Sequence, residues 1–171
     1  THELNNRIGY ISQKAVMFTG TVKDNVAYGD NGKAKPSIDK VKKAIKIAQG
    51  TDFVEKMDKK YSSHIARGGT NISGGQKQRL SIARAIARDP EIYIFDDSFS
   101  ALDYKTDSNL RKALKEYTKD ATSVIVAQRI GTIIGADKIV VLDKGKCVGI
   151  GTHKELLKKC EVYKEIALSQ L

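Results

Sequence analysis

Asn71-Ile72-Ser73-Gly74-Gly75-Gln76-Lys77-Gln78-Arg79 is the stretch on which the reading of this chain turns. Its two glycines let backbone approach a ligand with no Cβ in the way. Ser73 followed three residues later by Gln76 is a capping-box pattern that opens a helix. Leu80, Ile82, Ala83 and Ile86 give that helix an apolar face, and Asp89-Pro90 marks its end. A glycine-lined helix N-terminus, with free amides and the positive end of the dipole, suits a phosphate. Taken alone, the pattern fits an ordinary Ser-capped surface helix equally well. The next landmark, Ile92-Tyr93-Ile94-Phe95-Asp96-Asp97, changes the balance. A continuous apolar run ending in carboxylates reads as a strand buried on both faces. Its acids then sit at the C-terminal end, where ligands of α/β sheets bind.

Together the two stretches resemble the signature and Walker B motifs of ATP-binding cassette (ABC) ATPases. Ser100-Ala101-Leu102-Asp103 looks like the D-loop of that family. Gln13 to Gly29, with Phe18-Thr19-Gly20-Thr21-Val22 and Asp24-Asn25-Val26, resembles the Q-loop region of ABC exporters. The resemblance implies an α/β fold: a partial P-loop NTPase core with a mainly parallel sheet, plus an α-helical signature subdomain. It divides the chain into a Q-loop region (1–29) and a helical subdomain carrying the signature (30–89). The Walker B, D-loop and switch region follows (90–151), then a C-terminal helical region (152–171).

Composition agrees with a single domain or less. The chain has 171 residues, enough for a core, and 40% are hydrophobic. No apolar run approaches the ~20 residues of a membrane helix, and the start shows no signal-peptide pattern. Cys147 and Cys160 match no metal spacing and read as free thiols of a reducing compartment. The formal charge of +10 raises the question of nucleic acid. However, the lysines are scattered in short pairs such as Lys42-Lys43 and Lys158-Lys159, as on a solvated basic face, so no nucleic acid is expected.

The remaining segments read in order. Residues 1–9 are polar, and Ile8-Gly9-Tyr10-Ile11-Ser12 is a short strand reaching Gln13. A helix from about Pro36 places Ile38, Val41, Ile45 and Ala48 on one face, and Gly50 breaks it. A short amphipathic piece with Phe53, Val54 and Met57 follows. A helix from about Thr106 shows Leu110, Ala113, Leu114 and Tyr117, and Ser123 to Ala127 reads as a second buried strand. Ile139–Leu142, a turn at Asp143-Lys144-Gly145, and Cys147–Ile150 form a strand pair. Thr152 with Glu155 opens the last helical region.

No G-x-x-x-x-G-K-[ST] occurs in the sequence, nor the family's adenine-stacking aromatic before it. The resemblance therefore implies a nucleotide-binding domain truncated at its N-terminus, inactive by itself. For the residues present, it implies that Asp96 holds Mg²⁺ and that Gln13 reaches both the Mg²⁺ and the attacking water. Asp97 stands where the family carries the glutamate that polarises that water. It is one methylene shorter, so its carboxylate falls ~1.5 Å short, and misplacement of about an ångström costs on the order of a hundredfold in rate. Gln128 stands at the switch histidine, where an amide can donate a hydrogen bond but cannot change protonation. Arg67 reverses the acidic residue that exporters often carry there.

Both departures, at Asp97 and Gln128, resemble the degenerate half of heterodimeric exporters. In such a head-to-tail dimer, Ser73, Gly74, Gly75 and Gln76 would complete ATP bound to a second nucleotide-binding domain. The membrane domain's coupling helices would meet the Q-loop flank, at the cytoplasmic face of the membrane. Two other readings remain: a soluble ABC ATPase acting on nucleic acid or ribosomes, and a non-catalytic regulatory ABC module.

Overall fold

The computed structural model describes residues 2–170. The chain forms two compact units, Thr1–Val126 and Ala127–Leu171.

The first unit opens with α1 (His2–Arg7), a helical turn in the segment expected only to be polar, where Arg7 pairs with Glu3 one turn back. Then come β1 (Ile8–Ile11), β2 (Gly20–Thr21) and α2 (Val22–Val26), the last opened by a Thr21–Asp24 capping box. Helix α3 (Ile38–Ile47) is capped by Ser37 and buries Val41, Ala44 and Ile45, whereas Ile38, expected on that face, is exposed in its first turn. Next are α4 (Thr51–Val54), β3 (His64–Ile65, antiparallel to β2), α5 (Gly74–Arg88), β4 (Ile92–Asp96), α6 (Tyr104–Tyr117) and β5 (Thr122–Val126). Helix α6 starts two residues earlier than expected because Asp103 caps it, its carboxylate accepting from the Thr106 N–H.

Helix α5 is the spine of this unit. Its cap is the expected one: Ser73 Oγ accepts from the Gln76 N–H, and Gln76 Oε1 accepts from the Ser73 N–H. Leu80, Ile82, Ala83 and Ile86 are buried as expected, and so are Gln78, Ser81, Ala85 and Ala87. Helices α2 and α3 and strand β1 pack around it. Each fully buried Leu or Ile side chain there contributes about 1.5–3 kcal/mol. The helix ends at Asp89, which takes a left-handed C-cap conformation (φ 53°) before Pro90.

Strands β1, β4 and β5 form a parallel sheet in the order β1-β4-β5. Alternation divides it. Gly9, Ile11, Tyr93 and Phe95 point into the core, with Ile125 half-buried on the same face. Tyr10, Ile94, Asp96, Val124 and Val126 lie on the other face, where Tyr10, Val124 and Val126 are exposed by 58%, 46% and 51%. Within this chain, then, the expectation that β4 and β5 are buried on both faces is met on one face only, Ile92, Ile94 and Asp96 being half-buried on the other. The helices of this unit cover one face, and β5 is an edge strand paired to β4.

The second unit contains α7 (Ile130–Ile133), the antiparallel pair β6 (Ile139–Asp143) and β7 (Lys146–Gly151), α8 (His153–Lys159) and α9 (Glu161–Leu168). The hairpin turn is the expected one; Lys144 and Gly145 both have positive φ (47° and 76°), as a type I′ turn needs. Thr152 and Glu155 form the capping box of α8. Ile139, Val141, Leu156, Cys160 and Tyr163 make the core. Gly149 is required there, since a Cβ would come within 2.9 Å of Cys160 Sγ.

Candidate functional site

The C-terminal ends of β1 and β4 bring four side chains together. Gln13, two residues past β1, donates from Nε2 to Asp97 Oδ2 at 3.0 Å. Tyr10 on β1 donates its hydroxyl to Asp96 Oδ2 at 2.7 Å. The carboxylate in turn pushes the Tyr10 phenol above its ordinary pKa, through that hydrogen bond first and burial second. Asp97 adopts a left-handed backbone (φ 45°), uncommon for a residue with a Cβ but more accessible to Asp than to most. Two bonds hold it there: its N–H donates to the Val126 carbonyl (3.0 Å), and Ser100 Oγ donates to its carbonyl (2.9 Å). Ser98 anchors the same turn from below by donating to the Ile11 carbonyl at 2.7 Å.

The base of the Gln13 loop is fixed from α5. Gln78, buried in the middle of that helix, donates to the Ser12 carbonyl at 3.2 Å. Two turns on, Arg84 reaches the Asn25 and Val16 carbonyls at 2.7 and 3.0 Å and lies over the stacked Phe18 and Tyr28 rings. Burial pushes the Arg84 guanidinium down to about 10, so it stays charged at neutral pH. Sequence reasoning missed Tyr10, Gln78 and Arg84, because their roles depend on which backbone segment lies opposite them.

Ser73, Gly74, Gly75 and Gln76 occupy the N-terminal end of α5. Ser73 and Gly74 are exposed, and nothing lies within 4 Å of where a Gly74 Cβ would be. The Gly74 and Gly75 amides precede the first intrahelical bond, Lys77 N–H to Ser73 C=O, and so lack a helical acceptor. Ser73 Oγ accepts the cap bond and keeps its hydroxyl proton to donate. A Cβ on Gly75 would lie 3.3 Å from the Ala101 carbonyl, so Ser100-Ala101-Leu102-Asp103 packs directly against this helix start. Leu102 is buried, and Asp103 serves as the cap of α6. Arg67 is exposed in a 3₁₀ turn. Gln128 lies in the second unit, exposed, with its carbonyl accepting from Gln170 Nε2 at 2.8 Å.

The donor set of the first cluster suits a hard cation: two carboxylates and one amide oxygen. Among the described residues, no three His, Cys, Asp or Glu side chains are grouped to hold a metal. A strong all-protein cage is therefore not what the residues build. The set fits Mg²⁺ arriving with phosphates, which takes one or two carboxylates and keeps its waters. No helix among the described residues is long and apolar enough to cross a membrane.

Comparison with known proteins identifies the family. The family model described as ABC transporter matches residues 1–100. The chain is 43% identical over 170 residues to an ABC transporter ATP-binding protein of Mycobacterium tuberculosis, covering 99% of this chain and 29% of that protein. It is 40% identical over 160 residues to the ATP-dependent lipid A-core flippase of Hahella chejuensis, covering 94% of this chain and 27% of the flippase. A solved bacterial Atm1-family ABC exporter with ATP bound superposes with a TM-score of 0.92 at 33% identity, over 98% of this chain and 29% of that one. The chain thus spans less than a third of the length of the relatives it matches. Its mixed α/β fold with a parallel sheet is that of the ABC ATPases, and with 100 of its 171 residues matched the chain belongs to the ABC transporter family.

Proposed function

We propose that this chain is part of the ATP-binding domain of an exporter subunit, at the cytoplasmic face of a membrane, coupling ATP binding and hydrolysis to transport. The observation that carries this reading is the start of α5: an exposed Ser73 hydroxyl and two amides without a helical acceptor, on a 15-residue helix. Such an end stabilises a γ-phosphate through hydrogen bonds and the helix dipole. In the proposed head-to-tail pair, that phosphate belongs to ATP bound by a second ABC domain, and the coupling helices of the membrane domain meet the Q-loop flank.

The chain's own site would be the weaker of the two. Phosphoryl transfer is mainly positioning and charge stabilisation around a metal and an in-line water. Asp96 and Gln13 would hold Mg²⁺, which offsets charge on the transferring phosphate. Asp97 would face the water with a short carboxylate already bonded to Gln13 Nε2; Gln128, in the second unit, carries a neutral amide in place of the histidine. These two departures support reading the chain as the degenerate half of a heterodimer.

The test is steady-state ATPase of the full-length transporter with each change made in this subunit alone. Ser73→Arg puts a bulky cation where the partner's γ-phosphate docks, and turnover should fall about a hundredfold, within the range for losing a transition-state donor. Asp97→Asn should cost only a few-fold. Equal damage from the two would refute the degenerate-site assignment, and no effect of Ser73→Arg would refute the signature role.

A further inference from the structure

We infer that Tyr10 is a positioning residue that orients the Asp96 carboxylate toward a divalent cation; this rests on the reading of Asp96 as the metal-holding aspartate. The register carries the inference. Tyr10 pairs with Ile94, so Asp96 is the next residue along β4 on the same face, a diagonal neighbour across the β1–β4 pair. Such neighbours are about 7–8 Å apart at Cα, a span an aromatic ring can bridge. The Tyr10 hydroxyl crosses it and meets Oδ2 at 2.7 Å.

Within this chain the Tyr10 ring packs little: it is 58% exposed, on the sheet face turned away from the core. Its hydroxyl makes a charge-assisted bond to the one carboxylate that ends β4. That bond restricts rotation of the Asp96 side chain and occupies one oxygen, leaving Oδ1 as the acceptor for a cation or its water. Carboxylates that hold metals are commonly fixed in this way, and removing the fixing partner weakens metal affinity by about 10–100-fold.

The experiment titrates the chain with Mn²⁺ and follows paramagnetic broadening of backbone amide resonances near the end of β4, which senses weak occupancy without turnover. Tyr10→Phe keeps the ring and deletes the hydroxyl; the Mn²⁺ concentration for half-broadening should rise about tenfold, with the melting temperature unchanged. Asp96→Asn is the control and should abolish the local broadening. If Asp96→Asn abolishes it and Tyr10→Phe matches the wild type, the positioning role is overturned and the metal assignment stands. If Asp96→Asn leaves the broadening intact, the metal assignment itself fails, and the inference with it.

Discussion

The two faces of the three-stranded sheet divide the work of the first unit. One face sets Ile11, Tyr93 and Phe95 into the core beneath α5, with Phe95 stacked between Tyr93 and Phe99. The other carries Tyr10, Ile94 and Asp96 and stays largely open. Neighbouring residues on one strand thus serve different ends: Phe95 supplies stability, and Asp96 supplies an oriented carboxylate. The lesson is that a strand's period of two is enough to separate folding from chemistry.

The largest expected effect tests that division directly. Phe95→Ala removes a buried ring and should cost about 3–5 kcal/mol, enough to unfold much of a marginal domain. Ile94→Ala, one residue away on the open face, should cost far less. Urea denaturation of both variants checks this, and equal losses would mean the open face is structurally as important as the buried one.

A smaller effect concerns pH. The Thr21 hydroxyl and N–H hold the Asp24 carboxyl below its ordinary value, and the Thr106 N–H does the same for Asp103. Folded, these groups bind fewer protons than when unfolded, so stability rises with pH across their titration. Their contribution is complete above about pH 4, the ordinary aspartate pKa, and is lost as pH falls through the lower folded values. Asparagine also caps helices well, so Asp24→Asn with Asp103→Asn should flatten the melting temperature between about pH 4 and pH 2. An unchanged acid slope would shift the effect to Glu55 and Glu155, whose carboxyls are also held below their ordinary value, by the Lys60 side chain and the Thr152 N–H respectively.

The smallest effect is on the open face itself. Val124→Thr keeps a β-branched shape on an exposed edge strand and should change stability by less than about 0.5 kcal/mol. It should also reduce self-association, because exposed apolar strand edges seek partners. Light scattering of the two proteins at high concentration measures this, and a strict wild-type monomer would remove the premise.

Local patterns in the sequence marked the longer helices, though not the short α1, α2 and α7, the second of which also opens on a capping box, Thr21 with Asp24. Ser73 with Gln76 and Thr152 with Glu155 are capping boxes whose partners lie three residues apart, so both ends of each interaction are visible in one short stretch. Asp89-Pro90 stops α5 for an equally local reason. The alternation of β4 was hidden, since Ile92, Tyr93, Ile94 and Phe95 are all apolar and the pattern carries no mark of which face is covered. Only tertiary structure decided that, and with it the register that sets Tyr10 beside Asp96, the Gln13–Asp97 bond and the approach of Ala101 to Gly75. Each of these joins segments from about 26 to 86 residues apart. Strand register and packing against a distant loop are collective outcomes of the whole core, and no short window of sequence contains both partners.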